Sequence, residues 1–100
     1  MKGITIAMVA AVITVKLYAP WVHSLKEKRM IVKGLTEKLR KKFNVSVIES
    51  DAQDIHQTMI LSIAFLAHNT ALTDSIGEKV CSFIETNTDA EVVEVKMELR

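Results

Sequence analysis

Thr58-Met59-Ile60-Leu61-Ser62-Ile63-Ala64-Phe65-Leu66-Ala67-His68 is the stretch that decides the fold, because it is apolar at nearly every position. A strand covered on one side alternates apolar and polar residues, whereas a consecutively apolar run belongs in the middle of a sheet. The start of the chain carries a second such run, about Ile4 to Leu17, rich in the β-branched residues Ile, Val and Thr. Glu91–Leu99 reads differently. Val93, Val95, Met97 and Leu99 fall on one side and Glu94, Lys96 and Glu98 on the other, as in an edge strand. Val45–Glu49 makes a fourth, shorter strand, and the polar Ser50–Gln57 a loop.

Two helical patterns separate these strands. Pro20 places Tyr18–His23 in a connection. Ser24 with Glu27 three residues on predicts a capping box. Leu25, Val32, Leu35, Leu39 and Phe43 then share one stripe, with Ile31 at its edge. Arg40, Lys41 and Lys42 close the helix, where cations offset the dipole. After Asn69–Thr73, a second stripe holds Leu72, Ile76, Val80, Phe83 and Ile84. The order is β-α-β-β-α-β, an α+β ferredoxin-like arrangement: a four-stranded antiparallel sheet with two helices on one face. That topology puts strands one and three in the centre, and these are the two consecutively apolar runs.

The 100 residues, 49% apolar with three Gly and one Pro, fit a single domain, residues 1–100, and exclude a disordered or fibrous chain. The lone Cys81 excludes a disulfide framework, a four-cysteine zinc site and an iron–sulfur cluster. Lys2 followed by Gly3–Val15 has the outline of a secretory leader. The run is too short to span a bilayer, however, and cleavage near Ala19 would remove a core strand. The expectation is a cytoplasmic protein with no membrane association.

Net charge is +1, but residues 1–43 carry ten Lys/Arg and two acids, and residues 44–100 three Lys/Arg and ten acids. Either the halves neutralise each other or they present separate basic and acidic faces. Two helices also leave one sheet face uncovered. Ile4, Ile6 or Met8 (or their alternates) and members of Met59–Leu66 would form an apolar patch there. A homodimer stacked sheet to sheet would bury it. The competing reading is a curled sheet with Glu94, Lys96 and Glu98 folded over the patch.

His23-Ser24-Leu25-Lys26-Glu27-Lys28-Arg29, together with Phe43-Asn44-Val45-Ser46-Val47, Glu49, Asp51, Gln53, Asp54 and Gln57, resembles the YlxP-like family of small bacterial proteins of unknown function. The resemblance covers essentially the whole chain and departs mainly at Ala19-Pro20-Trp21-Val22. It implies a ferredoxin-like fold. Genes of the family often lie near those for transcription and translation factors, which implies a role around RNA. It supplies no catalytic residues.

The candidate nucleic-acid-binding residues are Lys26, Arg29, Lys33 and Arg40, on one flank of the first helix, and Lys41, with Lys38 and Lys42 adding charge. Such a stripe can neutralise several backbone phosphates, or it can be an ordinary solvated helix face. An aromatic platform for bases is missing: Trp21 and Tyr18 lie in the connection, and Phe65 could stack only from an open sheet face. Lys28 falls near the middle of the apolar stripe. It must therefore snorkel, pair in a structural salt bridge with Glu49, Asp51 or Asp54, or bind an anion. The segment from Asp51 through Asp54 to His56 lacks the glycine of a calcium loop and the helical histidine pair of a zinc site, so no metal is expected. Nor is any cofactor expected. His23 and His68 stand in no visible relation to Ser24 or Cys81 that would make a nucleophile and base. The connection Leu17–Trp21 lacks the glycine-rich anion cradle of an acylphosphatase. The leading expectation is a non-catalytic RNA- or ribosome-associated factor that binds through the basic first helix and the nearby connection. The alternative is a homodimeric ligand-binding or protein-interaction module using the open sheet face, and a third reading is an enzyme around Lys28 and Asp54.

Overall fold

A computed structural model describes Gly3 and residues 7–100 of the chain. Along it run β1 (Val9–Tyr18), α1 (Leu25–Lys42), β2 (Ser46–Asp51), β3 (Thr58–Ala67), α2 (Thr70–Asn87) and β4 (Glu91–Leu99). The strands form one antiparallel sheet in the order β2-β3-β1-β4, the ferredoxin-like arrangement, with the two consecutively apolar runs in the centre. No helix among the described residues is long and apolar enough to cross a membrane.

Alternation sorts each strand between the two faces of the sheet. Ala11, Ile13, Val15 and Leu17 of β1 and Met59, Leu61, Ile63 and Phe65 of β3 point toward the helices. There they bury Val32, Leu35 and Leu39 of α1 and Val80 and Ile84 of α2. Ser24 caps α1 as its spacing predicts. Its hydroxyl accepts from Glu27 N at 3.1 Å, and His23 N donates back to the Glu27 carboxylate at 3.3 Å. Ser24→Ala should lower unfolding stability by about 1 kcal/mol in a urea titration, while Ser24→Asp should preserve it.

Four expectations need correction. First, the open face is apolar only in part: Met8, Ile48 and Leu66 are exposed, but polar side chains lie among the apolar ones, while the expected Ile4 and Ile6 lie outside the described residues. Thr14, Lys16 and Ser62 share it with Val12, Ile60 and Leu66. A hydroxyl row crosses it: Thr14 Oγ1 lies 3.3 Å from Ser62 Oγ, which donates to Ser50 Oγ at 2.8 Å. Second, Phe65 is buried on the helix side, so it offers no platform to bases. Third, the buried line of α2 is Thr73, Gly77, Val80 and Ile84, whereas Leu72 is exposed. Gly77 lets α2 sit close to the sheet, because a Cβ there would meet Met97 Sδ at 3.3 Å and Ile13 Cδ1 at 3.6 Å. Fourth, a bulge in β4 moves the β1 register from Lys16↔Glu94 to Leu17↔Val92, skipping Val93. Val93 therefore leaves the inward row.

Candidate nucleic-acid interface

The site is built around α1, which lies toward the β2 edge of the sheet. Lys26, Arg29, Lys33, Lys38, Arg40, Lys41 and Lys42 are all exposed along it. Among the described residues none of these seven comes within 4.0 Å of a carboxylate, so the acidic half of the chain does not neutralise them through ion pairs. Arg40 is the cation with a second task. Its guanidinium donates to the Val47 carbonyl at 2.7 Å, and Gln53 donates to the Glu49 carbonyl at 3.1 Å. Side chains thus occupy backbone acceptors along β2, the edge strand on this side. The helical wheel alone gives Arg40 no such role, because the contact depends on how α1 docks.

Lys28 is 1% exposed. Its ammonium lies 2.8 Å from Glu49 Oε2 and donates to the carbonyls of Ile55, at 2.7 Å, and Ala52. The Glu49 contact is a Coulombic pair without hydrogen-bond alignment, and Oε2 has no other polar partner among the described residues. Three directions of the ammonium are therefore engaged inside the protein, which is the structural-pair arrangement. Of the candidate partners the structure selects Glu49 and leaves out Asp51 and Asp54. Glu49 shares the helix side of β2 with Val47, whereas Asp51 follows a register irregularity and turns its carboxylate onto Ala52 N at 2.7 Å. Asp54 lies on the following turn and does not reach the ammonium.

That turn carries consequences beyond itself. Ala52 has φ 58°, a left-handed conformation that a residue with a Cβ adopts at a cost. Its carbonyl is tied down by both Lys28 Nζ and Ile55 N. The turn leads to Gln57, whose carbonyl accepts from Ala19 N at 2.8 Å and whose side chain donates to the Pro20 carbonyl at 3.0 Å. Gln57 thereby positions the connection that bears Trp21.

Trp21 is 42% exposed, and it lines a cleft between Met30, Ile31, Gly34, Leu35 and Lys38 of α1 and Asn87, Thr88 and Asp89 at the end of α2. An aromatic side chain of the connection therefore lies beside the basic helix, on its α2 side with Lys38, whereas Lys26, Arg29, Lys33 and Arg40 run along the flank toward β2. The linear chain hides this, because the long-range Gln57 contact makes it. Gly34 lies in the same cleft, and nothing stands within 4 Å of where its Cβ would be. Glycine inside an exposed helix costs about 0.5–1 kcal/mol relative to alanine, and no packing contact here requires it.

Among the described residues no three His, Cys, Asp or Glu side chains gather as a metal site. Burial, and after it the Glu85 carboxylate, push the Cys81 thiol above its ordinary value, so little thiolate forms at neutral pH.

Comparison with known proteins agrees with this architecture. The chain is 34% identical over 68 residues to the uncharacterized protein YlxP of Bacillus subtilis (strain 168), covering 68% of this chain and 74% of that one. The de novo designed protein Foldit4 superposes with a TM-score of 0.52 at 15% identity, covering 93% of this chain and 98% of that chain, a likeness of fold alone. Residues 10–97 match the family described as "Protein of unknown function (DUF503)", a span that takes in every element from α1 to α2 and nearly all of β1 and β4; the chain belongs to that family.

Proposed function

We propose that this protein is a non-catalytic RNA- or ribosome-associated accessory factor of the cytoplasm, and that it binds through the solvent side of α1 with Trp21 beside it. The reading rests chiefly on seven exposed Lys/Arg side chains of α1 that lack a carboxylate partner among the described residues. Cations held along one rigid helix can replace the counterions of a phosphate backbone. Trp21 supplies a face on which an unstacked base can lie. Bare Gly34 lets a ligand approach the helix backbone closely. The lone, half-buried Cys81 fits a reducing compartment.

Trp21 is the only tryptophan in the chain, so its fluorescence reports on the cleft beside Lys38 at the margin of this surface. Structured RNA should quench it saturably. Lys33→Glu combined with Lys41→Glu should weaken that binding without changing the fold, because neither side chain makes a hydrogen bond or ion pair among the described residues. Arg40 is left intact in this variant, since reversing it would also free the Val47 carbonyl. Undiminished RNA affinity in the doubly reversed protein at low salt would refute the reading. Gly34→Ala gives a second check: stability to urea should rise by about 0.5–1 kcal/mol while RNA affinity falls.

A further inference from the structure

The two edges of the sheet are treated differently. Along β2, Arg40 and Gln53 occupy carbonyls of Val47 and Glu49. Along β4, no side chain among the described residues hydrogen-bonds the backbone of residues 94–99. β4 is also the longer edge, nine residues against six. Its helix-side residues Val95, Met97 and Leu99 remain 44%, 38% and 48% exposed. Val95 and Met97 floor a groove whose other wall is α2 at Gly77 and Cys81. A long, apolar, uncapped edge is a template for another strand.

We infer that β4 pairs antiparallel with β4 of a second copy of this chain, about a two-fold axis at Met97, so that two four-stranded sheets become one. The backbone fixes which residues can take part. Ala10 and Arg100 exchange both of their hydrogen bonds. Even-numbered residues from Glu94 to Arg100 therefore face β1, and Val95, Met97 and Leu99 turn their N–H and C=O groups toward the free edge.

The charges then select the register. On the open face the strand reads Glu94, Lys96, Glu98, Arg100, alternating in sign. With the axis at Met97, Glu94 lies opposite Arg100 of the partner subunit and Lys96 opposite Glu98 of the partner subunit. Every charge meets its opposite, and symmetry doubles each pair. These are positions without mutual hydrogen bonds, where side chains approach most closely. Moving the axis to Lys96 would set Lys96 against itself and Glu94 against Glu98. Moving it to Val95 would bring the bulged Val93 into the ladder and leave Glu98 and Arg100 without charged partners. The Met97 register also sets Val95 against Leu99 of the partner subunit and Met97 against its own copy. Half-exposed apolar side chains are thus covered on the helix side. In the separate chain the same charges make only exposed pairs, Lys96 with Glu94 at 3.8 Å and Arg100 with Glu98 at 2.6 Å, which contribute little.

This assembly differs from sheet-to-sheet stacking, since it uses the edge and leaves the hydroxyl row open. It is independent of the RNA reading, because β4 lies at the opposite edge from β2 and α1, and its test contains no RNA. Sedimentation velocity at low salt should show a dimer at micromolar concentrations. Lys96→Glu alone and Glu98→Lys alone each create two like-charge contacts across the axis and should weaken the dimer at least about tenfold. The double variant Lys96→Glu/Glu98→Lys restores every opposite pair and should dimerise again, which a merely destabilised fold would not do. A wild-type protein that stays monomeric, a dimer that both single variants leave unchanged, or a double variant no better than the singles would each overturn the inference.

Discussion

Lys28→Met should destabilise the domain by about 3–5 kcal/mol, the usual consequence of removing one partner from a buried ion pair. Methionine keeps the aliphatic stem in the core, so the loss isolates the ammonium. Without it, Glu49 Oε2 is buried with no polar partner among the described residues, and the carbonyls of Ala52 and Ile55 lose a donor. A domain of this size has on the order of 5–15 kcal/mol in all, so the variant should unfold at much lower urea. The lesion should also be local before it is global. The turn at Ala52, with φ 58°, loses its anchor, and protease cleavage between Ala52 and Gln57 should accelerate. Lys28→Met with Glu49→Leu removes both charges and should recover part of the stability, but not the order of the turn. Equal stability of Lys28→Met and the wild-type protein would show that the ammonium does not anchor the turn.

The fold was legible because its evidence is local. The two consecutively apolar runs lie in the centre of the sheet, and Ser24 and Glu27 close the capping box their spacing implies. The errors have a common physical origin as well. Alternation within β1 and β3 puts Thr14, Lys16 and Ser62 on one face, yet the apolar residues between them made the runs look uniformly buried. The Val93 bulge adds one residue to β4, and no composition signal marks it. Burial of Phe65 follows from which parity the helices happen to cover.

The site was legible in its charges and hidden in its contacts. The basic stripe of α1 can be read from helical periodicity, and Lys28 from its place on the apolar face. That Glu49 rather than Asp51 answers Lys28 depends on β2 alternation and on the irregularity after Glu49. That Trp21 lies beside Gly34 and Lys38 depends on Gln57, thirty-seven residues from the Pro20 carbonyl it binds.

The second large effect concerns affinity. If phosphates replace counterions along α1, binding weakens steeply as salt rises, and each lysine removed from the contact reduces the salt slope by about one. Lys33→Glu/Lys41→Glu should therefore shift the slope by about two and reduce affinity at low salt by tenfold or more. The reversed residues add repulsion to the lost attraction. A protein that merely retained an unspecific positive charge would lose less, because the net charge of the whole chain is only +1 and long-range attraction is correspondingly weak.

The most direct measurement is a Trp21 fluorescence titration with a structured RNA across a series of salt concentrations, run on the wild-type chain and the Lys33→Glu/Lys41→Glu variant. Phosphate binding along α1 should give saturable quenching, a linear fall of log affinity with log salt, and a shallower line for the variant. Parallel lines of equal affinity, or no quenching by RNA at low salt, would contradict it.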